Sequence, residues 1–313
     1  MSGRKGISCT RRGIATFVLA VACLLPIWEM TATPADAQVP AQQGKIRIAV
    51  MDFLDQTNYP QWHVGRGMRV EFETRLVQTG QFEVIERERL EQVMQEQGLG
   101  ATGLVDPSSA AQIGKLLGVQ AMVMGSVTKF DIHTSKVSVP ILGSVTSSEA
   151  IVEIHVRVVD TTAGSIKLAE MAEGKESQAN ISLRLEGMPP MAFGSANFHS
   201  TILGKATSKA VDQLIGKIMQ LFPVEGYVVK VVGDKVYTNL GRAQGVKVGQ
   251  KLLVYRLGEV ITDPFTGQVL SAEKMEITTI TVTSVEQLLS IGTVDTPGAG
   301  AKVQIGDKVT VKY

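Results

Sequence analysis

From Lys45 onward, apolar and polar positions fall into blocks of distinct period. Lys45-Ile-Arg-Ile-Ala-Val-Met-Asp-Phe53 is a short apolar run ending in an acid and its aromatic neighbour, the pattern of a buried strand. Val64, Met68, Phe72 and Leu76 then recur every four residues behind Gly65 and Gly67, predicting an amphipathic helix that Gly80 stops. Glu71 and Arg75 form an i,i+4 pair on the other side of that helix and are expected to face water. Phe82 to Ile85 predicts a second strand. Glu86 to Glu96 alternates charges along a helix whose apolar stripe is Leu90, Val93 and Met94. Asp106 as N-cap, with Pro107 at the first helical position, opens a third helix. Ile113, Leu116 and Leu117 are expected to face inward there, and Gly118 to end it. Gln120 to Thr128 is the next strand. This order of strand, helix, strand, helix, helix and strand predicts an α/β layer with a partly parallel sheet.

After residue 129 the period changes to two. Ala150, Val152, Ile154, Val156 and Val158 share one face of a strand, and Glu153, His155 and Arg157 share the other. Asp160-Thr-Thr-Ala-Gly164 turns into a partner strand, Ser165 to Met171. Glu173 to Ser200 is polar, carries Pro189 and Pro190, and reads as a long loop or weak hairpin. A last helix, Leu203 to Leu221, aligns Ala206, Ala210, Leu214, Ile218 and Leu221. From Val224 the pattern is all-β, with short strands at Gly226–Val232, Lys235–Asn239 and Lys251–Arg256. Val246-Lys-Val-Gly-Gln-Lys-Leu-Leu-Val254 is echoed by Val303-Gln-Ile-Gly-Asp-Lys-Val-Thr-Val311. Two such corners predict a small closed barrel. The fold class expected is therefore an α/β (α+β) domain with a mixed sheet and flanking helices over 45–222, followed by a small all-β, barrel-like domain over 226–313.

Composition adds a compartment. Residues 1–37 read as a signal peptide: Arg4, Lys5, Arg11 and Arg12, then an apolar stretch from Gly13 to Trp28, then Ala35-Asp36-Ala37 as the cleavage site. A retained anchor, acylation at Cys23 and a twin-arginine signal at Thr10-Arg11-Arg12 remain open alternatives. Both cysteines, Cys9 and Cys23, lie in this leader, so the mature chain is expected to need no disulfide and to bind no metal through thiolates. Of 313 residues, 31 are Lys or Arg and 30 Asp or Glu. That balance carries no general attraction for nucleic acid.

Catalytic patterns were sought at each candidate. Gly114-Lys115 and Gly204-Lys205 lack the remaining residues of a phosphate loop. His63, His133, His155 and His199 occur singly, and no Gly-x-Ser-x-Gly elbow is present. No catalytic constellation is visible, and no cofactor is expected. Two features read as contact surfaces instead. Asn58, Tyr59 and Trp62 form an aromatic cluster on the loop after the first strand, either a partner contact or a flap packed over the first helix. Glu86 and Arg87 start a helix directly after a buried strand, either as a stabilising pair near the helix dipole or as an oligomer contact.

These motifs in order resemble the curli production assembly/transport component (CsgG) family. The matching stretches are Ala49-Val-Met-Asp-Phe53, Val64-Gly-x-Gly67, Gly80-x-Phe-x-Val-Ile-Glu-Arg-x-Arg-Leu90, Gln97-Gly98, Gly103-Leu-Val-Asp-Pro107, Ile113-Gly-Lys-Leu-Leu-Gly118, Gly125-Ser-Val127, Val156-Arg-Val-Val-Asp160 with Gly164, and Gly204-Lys-Ala206. The resemblance implies a periplasmic α/β domain, non-catalytic, acting as an assembly or secretion component by self-association. In secreting members it implies a ring in which each subunit lends two β-hairpins to an outer-membrane barrel that exports fibre subunits. The partners it implies are copies of the chain, envelope assembly proteins or secreted fibre subunits. Val231-Val-Gly-Asp-Lys-Val-Tyr-Thr-Asn-Leu-Gly241 and Gly245-Val-Lys-Val-Gly249 resemble the C-terminal domain of flagellar assembly protein T, with Asp263-Pro-Phe-Thr-Gly267 as a hairpin turn. That module implies the alternative of a soluble periplasmic binding or flagellar accessory protein acting as a monomer.

The hairpin extensions expected over 131–200 can be weighed against lipid. A spanning strand needs about 9–11 residues with an apolar outer face. Ala150–Val158 has the length, but Asp131 to Pro140 has no apolar face, and Lys175, Glu176, Arg184 and Glu186 interrupt the second candidate. Residues 131–192 contain no Tyr, Trp or Phe. The hairpins are therefore expected to be soluble extensions of the sheet.

Overall fold

In the computed structural model, which describes residues 44–97, 106–139, 143–179 and 182–312, the first apolar run forms β1 (Ile46–Val50). The leader expected at 1–37, with Cys9 and Cys23, lies outside these residues, as do Gly98 and Gly103–Val105 of the quoted motifs. After β1 come β2 (Leu54–Asp55), α1 (Val64–Thr79), β3 (Phe82–Val84), α2 (Arg87–Glu96) and α3 (Pro107–Leu117). Three long strands follow: β4 (Ala121–Val139), β5 (Gly143–Asp160) and β6 (Ser165–Ala179). The short α4 (Ala196–Ser200) and the long α5 (Ile202–Leu221) complete the first module. Its sheet runs β3-β1-β4-β5-β6, with β2 beside β4. β1 is parallel to both β3 and β4, and β4-β5-β6 is antiparallel, so the sheet is mixed as expected.

Burial on both faces explains the uninterrupted apolar runs at its centre. Ile48, Val50 and Val123 join a core with Met68, Phe72 and Leu76 of α1 and Ala206, Ala210 and Leu214 of α5. Their neighbours Ala49, Met51, Met122 and Met124 point the other way, into a second core with Leu90, Met94, Ile113 and Leu117. Farther along, Ala150 to Val158 face only the first core, which is why that stretch alternates.

Three sequence expectations need correction. Leu116 is exposed rather than inward, because the inner face of α3 is already filled by Ile113 and Leu117. Glu71 is buried instead of wet. The segment between β6 and α5 folds back over α1, and there Glu71 accepts hydrogen bonds from the Gly194 N–H (2.7 Å) and pairs with His199 Nε2 (2.9 Å). Arg75 pairs with Asp212 of α5 at 3.3 Å, not with Glu71. Of the long loop or weak hairpin read over 173–200, the first part extends the strand from Ser165, and no hairpin forms among the described residues. β6 stays paired with β5 as far as Ala179, and the chain then carries a 3-10 turn at Leu185–Gly187 and α4.

The second module is a closed barrel with strand order β10-β11-β8-β7-β12-β9. Its strands are β7 (Glu225–Val232), β8 (Lys235–Thr238), β9 (Lys251–Thr262), β10 (Val269–Val285), β11 (Ser290–Val294) and β12 (Lys308–Val311). Valines dominate its core, among them Val228, Val236, Val254, Val282 and Val309. The echoed sequences form equivalent corners. Lys247 N–H donates to Gln250 Oε1 (3.1 Å), and Gln304 N–H donates to Asp307 Oδ2 (2.7 Å). Gly249 and Gly306 take φ of 85° and 92°, and the strands they open, β9 and β12, pair with each other.

The modules meet at two glycines. Gly80 caps α1 with φ 82°, and Gly245 has φ 82° as well. A Cβ on Gly80 would lie 2.8 Å from Gly245 Cα, and one on Gly245 would lie 2.7 Å from the Gly80 carbonyl carbon. Only glycine fits either position. Beside them, Lys247 Nζ donates to the Gln78 carbonyl at 2.8 Å. Among the described residues no helix is long and apolar enough to cross a membrane.

Candidate functional site

The loop that carries Asn58, Tyr59 and Trp62 lies against the long strand β4. A 3-10 turn, Pro60–Trp62, opens with proline and leads into His63, whose φ of 48° is the one positive value outside glycine among the described residues. That reversal drives Trp62 inward. Its ring meets Phe130 edge-on at 5.7 Å and it is 3% exposed, so of the two alternatives open from the sequence Trp62 takes the packed one. Its indole Nε1 has no hydrogen-bond partner among the described residues. Asn58 remains exposed. Tyr59 is half-buried and donates its hydroxyl to Asp131 Oδ1 at 2.9 Å. Burial, with that neighbouring carboxylate, pushes the Tyr59 phenol up to about 12.

Asn58 and Tyr59 line a pocket of about 170 Å³ with Lys129, Asp131 and His133. Gln56 and Thr128 border both this pocket and an open groove of about 700 Å³. The groove lies over the half of the sheet that α2 and α3 leave bare. His155 and Arg157 of β5 and Met171 of β6 line it, on the polar face expected from the alternation. Glu153 anchors the junction. Lys129 Nζ reaches its carboxylate at 2.6 Å and Thr128 Oγ1 at 2.6 Å, which holds the acid down at about 2. The result is a long, open, mixed-charge channel across one sheet face. Such a channel suits an extended segment of a partner better than an enclosed small molecule.

Glu86 and Arg87 sit elsewhere, at the start of α2. Glu86 is exposed and caps the helix by position only, since its side chain makes no cap hydrogen bond. Arg87 bridges to Glu91 at 2.5 Å and approaches Asp52 at 3.6 Å. Asp52, at the end of β1, also holds the buried Arg69 at 2.7 Å, and Arg69 in turn binds Glu73 at 2.6 Å. Burial raises the Glu73 carboxyl despite Arg69. Arg87 thus joins a charge network at the carboxyl end of the parallel strands. The structure ties Tyr59 and Trp62 to β4, and Arg87, without Glu86, to the Asp52 that follows β1. Sequence reasoning placed Arg157 on the polar face of its strand but missed Lys129, Asp131 and His133 as neighbours of Tyr59. Nothing short of knowing that the strand from Gln120 runs on to Val139 brings them beside Tyr59.

Compared with known proteins, residues 32–248 match the model of the curli production assembly/transport component CsgG family. Residues 233–311 match that of the flagellar assembly protein T C-terminal domain. No curated protein matches the chain. Among solved structures, the hypothetical protein CT253 from Chlamydia trachomatis is similar at 15% identity and TM-score 0.37, covering 56% of this chain and 96% of that one. Lipoprotein GNA1162 from Neisseria meningitidis is similar at 18% identity and TM-score 0.34, covering 55% and 99%. The PelC dodecamer from Paraburkholderia phytofirmans is similar at 12% identity and TM-score 0.31, covering 55% and 88%.

Proposed function

This chain belongs to the curli production assembly/transport component CsgG family, and from that premise we propose that it is an exported, non-catalytic assembly component on the periplasmic side of an outer membrane. It works by association of its first module with copies of itself and by binding partners along the β4–β5 channel, with Asn58 and Tyr59 at the channel's rim. The match over residues 32–248 carries the reading. The end strand β6 supports it: fifteen residues long, it has no strand on its outer side among the described residues, and open edges of that length pair readily with another chain.

The scaffold form of this function is favoured over the export channel. Ile132 is buried, and Thr134 Oγ1 donates to the carbonyl of Leu183, so the returning segment covers the base of the β4–β5 hairpin. Beyond that point the described pairing runs from Ser135↔Ser147 to Val139↔Gly143. That is short of the roughly 9–11 residues a spanning strand needs. Native mass of the full chain, from both membrane and soluble fractions, tests the proposal. A closed ring or smaller homo-oligomer is the expected result, and a monomer in both fractions overturns it. The second reading, a monomeric flagellar accessory protein, rests on the match of residues 233–311 and becomes the better one in that event.

A further inference from the structure

Strands β9 and β10 outgrow the barrel. β12 accompanies β9 only over Leu252–Tyr255, and β11 accompanies β10 only over Ile280–Val285. Beyond these limits, among the described residues, Leu257–Thr262 pairs only with the Val269–Lys274 stretch of β10, leaving a two-stranded arm with both edges open. An isolated ribbon of this kind is marginal in water. This one also carries large apolar side chains: Val260, Ile261, Val269 and Leu270 are each more than half exposed, and Phe265 at the tip is 96% exposed.

The placement of these residues selects their surroundings. Successive residues of a regular strand point to opposite faces, so the neighbours Val260 and Ile261 put apolar surface on both sides of β9, and Val269 and Leu270 add more at the bulged start of β10. A folded partner covers one face of such a ribbon. A fluid apolar phase surrounds both faces and the tip together. Between Val260 and Leu270 the sole ionisable group is Asp263. Its Oδ1 accepts the Phe265 N–H at 2.8 Å and the Thr266 N–H at 3.4 Å, which builds the turn. Within the arm Glu259 and Glu273 stand behind the tip, opposed by Lys274. That acidic base gives no attraction to anionic headgroups.

We propose that the β9–β10 arm is a membrane-contacting tip that sinks Phe265 and its flanking Val260, Ile261, Val269 and Leu270 into the interfacial layer of a zwitterionic bilayer. The strands of the arm are too short to span, and their unpaired edge amides need water, so the arm dips into the interface and does not cross. Phe265 sits at the depth where aromatic side chains are favoured. This inference stands apart from the proposed function. A chain that forms oligomers yet ignores lipid keeps the one and loses the other.

The test uses the full chain and vesicles of phosphatidylcholine. Emission of a Phe265→Trp chain, minus that of the parent, is expected to shift to the blue when vesicles are added and to be quenched by brominated acyl chains. Phe265→Asp is expected to weaken vesicle binding by the arm roughly ten- to hundredfold, the worth of one buried aromatic side chain. Val248→Asp, at an exposed apolar corner of the same barrel, serves as the control and should leave the lipid response unchanged. No emission shift with vesicles overturns the proposal. So does a shift produced by concentrating the protein without lipid, which would assign the arm to a second copy.

Discussion

Arg69 holds Asp52 and Glu73 together while almost wholly buried, and among the described residues no other cation comes as close to either acid. Removing one member of such a group strands its partners in a poorly solvated place. Arg69→Leu should therefore cost about 3–5 kcal/mol of unfolding free energy, measured as a lower urea midpoint. Glu71 presents a milder case. Glu71→Ala leaves the Gly194 N–H and His199 without their acceptor and should cost about 1–3 kcal/mol. Hydrogen exchange at Gly194 is expected to speed up more than exchange in β1. Glu153 supplies a pH dependence. Its carboxyl lies at about 2, held first by Lys129 and then by Thr128, below the usual value of about 4.3. A lowered folded-state value stabilises the fold above the unfolded value and is lost as acidity rises. The parent should thus lose stability from about pH 4.3 toward pH 2 more steeply than Glu153→Gln, as read from urea midpoints across that window.

At the scale of elements, α5 rests on β6 through Gly174, where an added Cβ would collide with the Ala206 carbonyl oxygen. Gly174→Ala is expected to lever α5 off the sheet and destabilise the chain by about 1–3 kcal/mol, checked by thermal unfolding. This contact also shows what the sequence could and could not convey. The stripes of α1 and α5, the Asp106 cap and the alternation of β5 were legible because each is a local period with a local stop. The continuity of β4 was not: Gln120 to Thr128 and Asp131 to Pro140 were read as separate pieces. Lys129 to Val139 alternates weakly, since its outer face is polar and part of its inner face is covered by a segment some fifty residues later. A greater distance hid the burial of Glu71: its partners Gly194 and His199 lie more than a hundred residues on, and no helical period could supply them. The channel inherits that gap: Tyr59 was noticed for being aromatic, but the acid that orients it, Asp131, lies on the strand whose length was underestimated. Trp62 was left open between a partner contact and packing, and it packs. The turn at His63 points it into the core.

Across the whole molecule, two modules of different type are joined by a contact that tolerates no side chain. Gly245→Ala introduces a Cβ against Gly80 and imposes strain at a positive φ. Each kcal/mol lost lowers the midpoint of a chain this size by roughly 2–4 °C, so calorimetry should show a fall of several degrees. The heat absorption is also expected to broaden or divide as the α/β module and the barrel come apart separately.

Those facing glycines bear on how the polypeptide can be dissected. A fragment cut after Leu221, the natural-looking stopping place once α5 ends, would leave the bare backbone at Thr79–Gln81 with nothing laid across it. Such a piece would be prone to clump, and its behaviour in a mass measurement would say more about the saw-cut than about assembly. The family match itself runs to Val248, three residues past Gly245, so it takes in the neighbour that shields this spot.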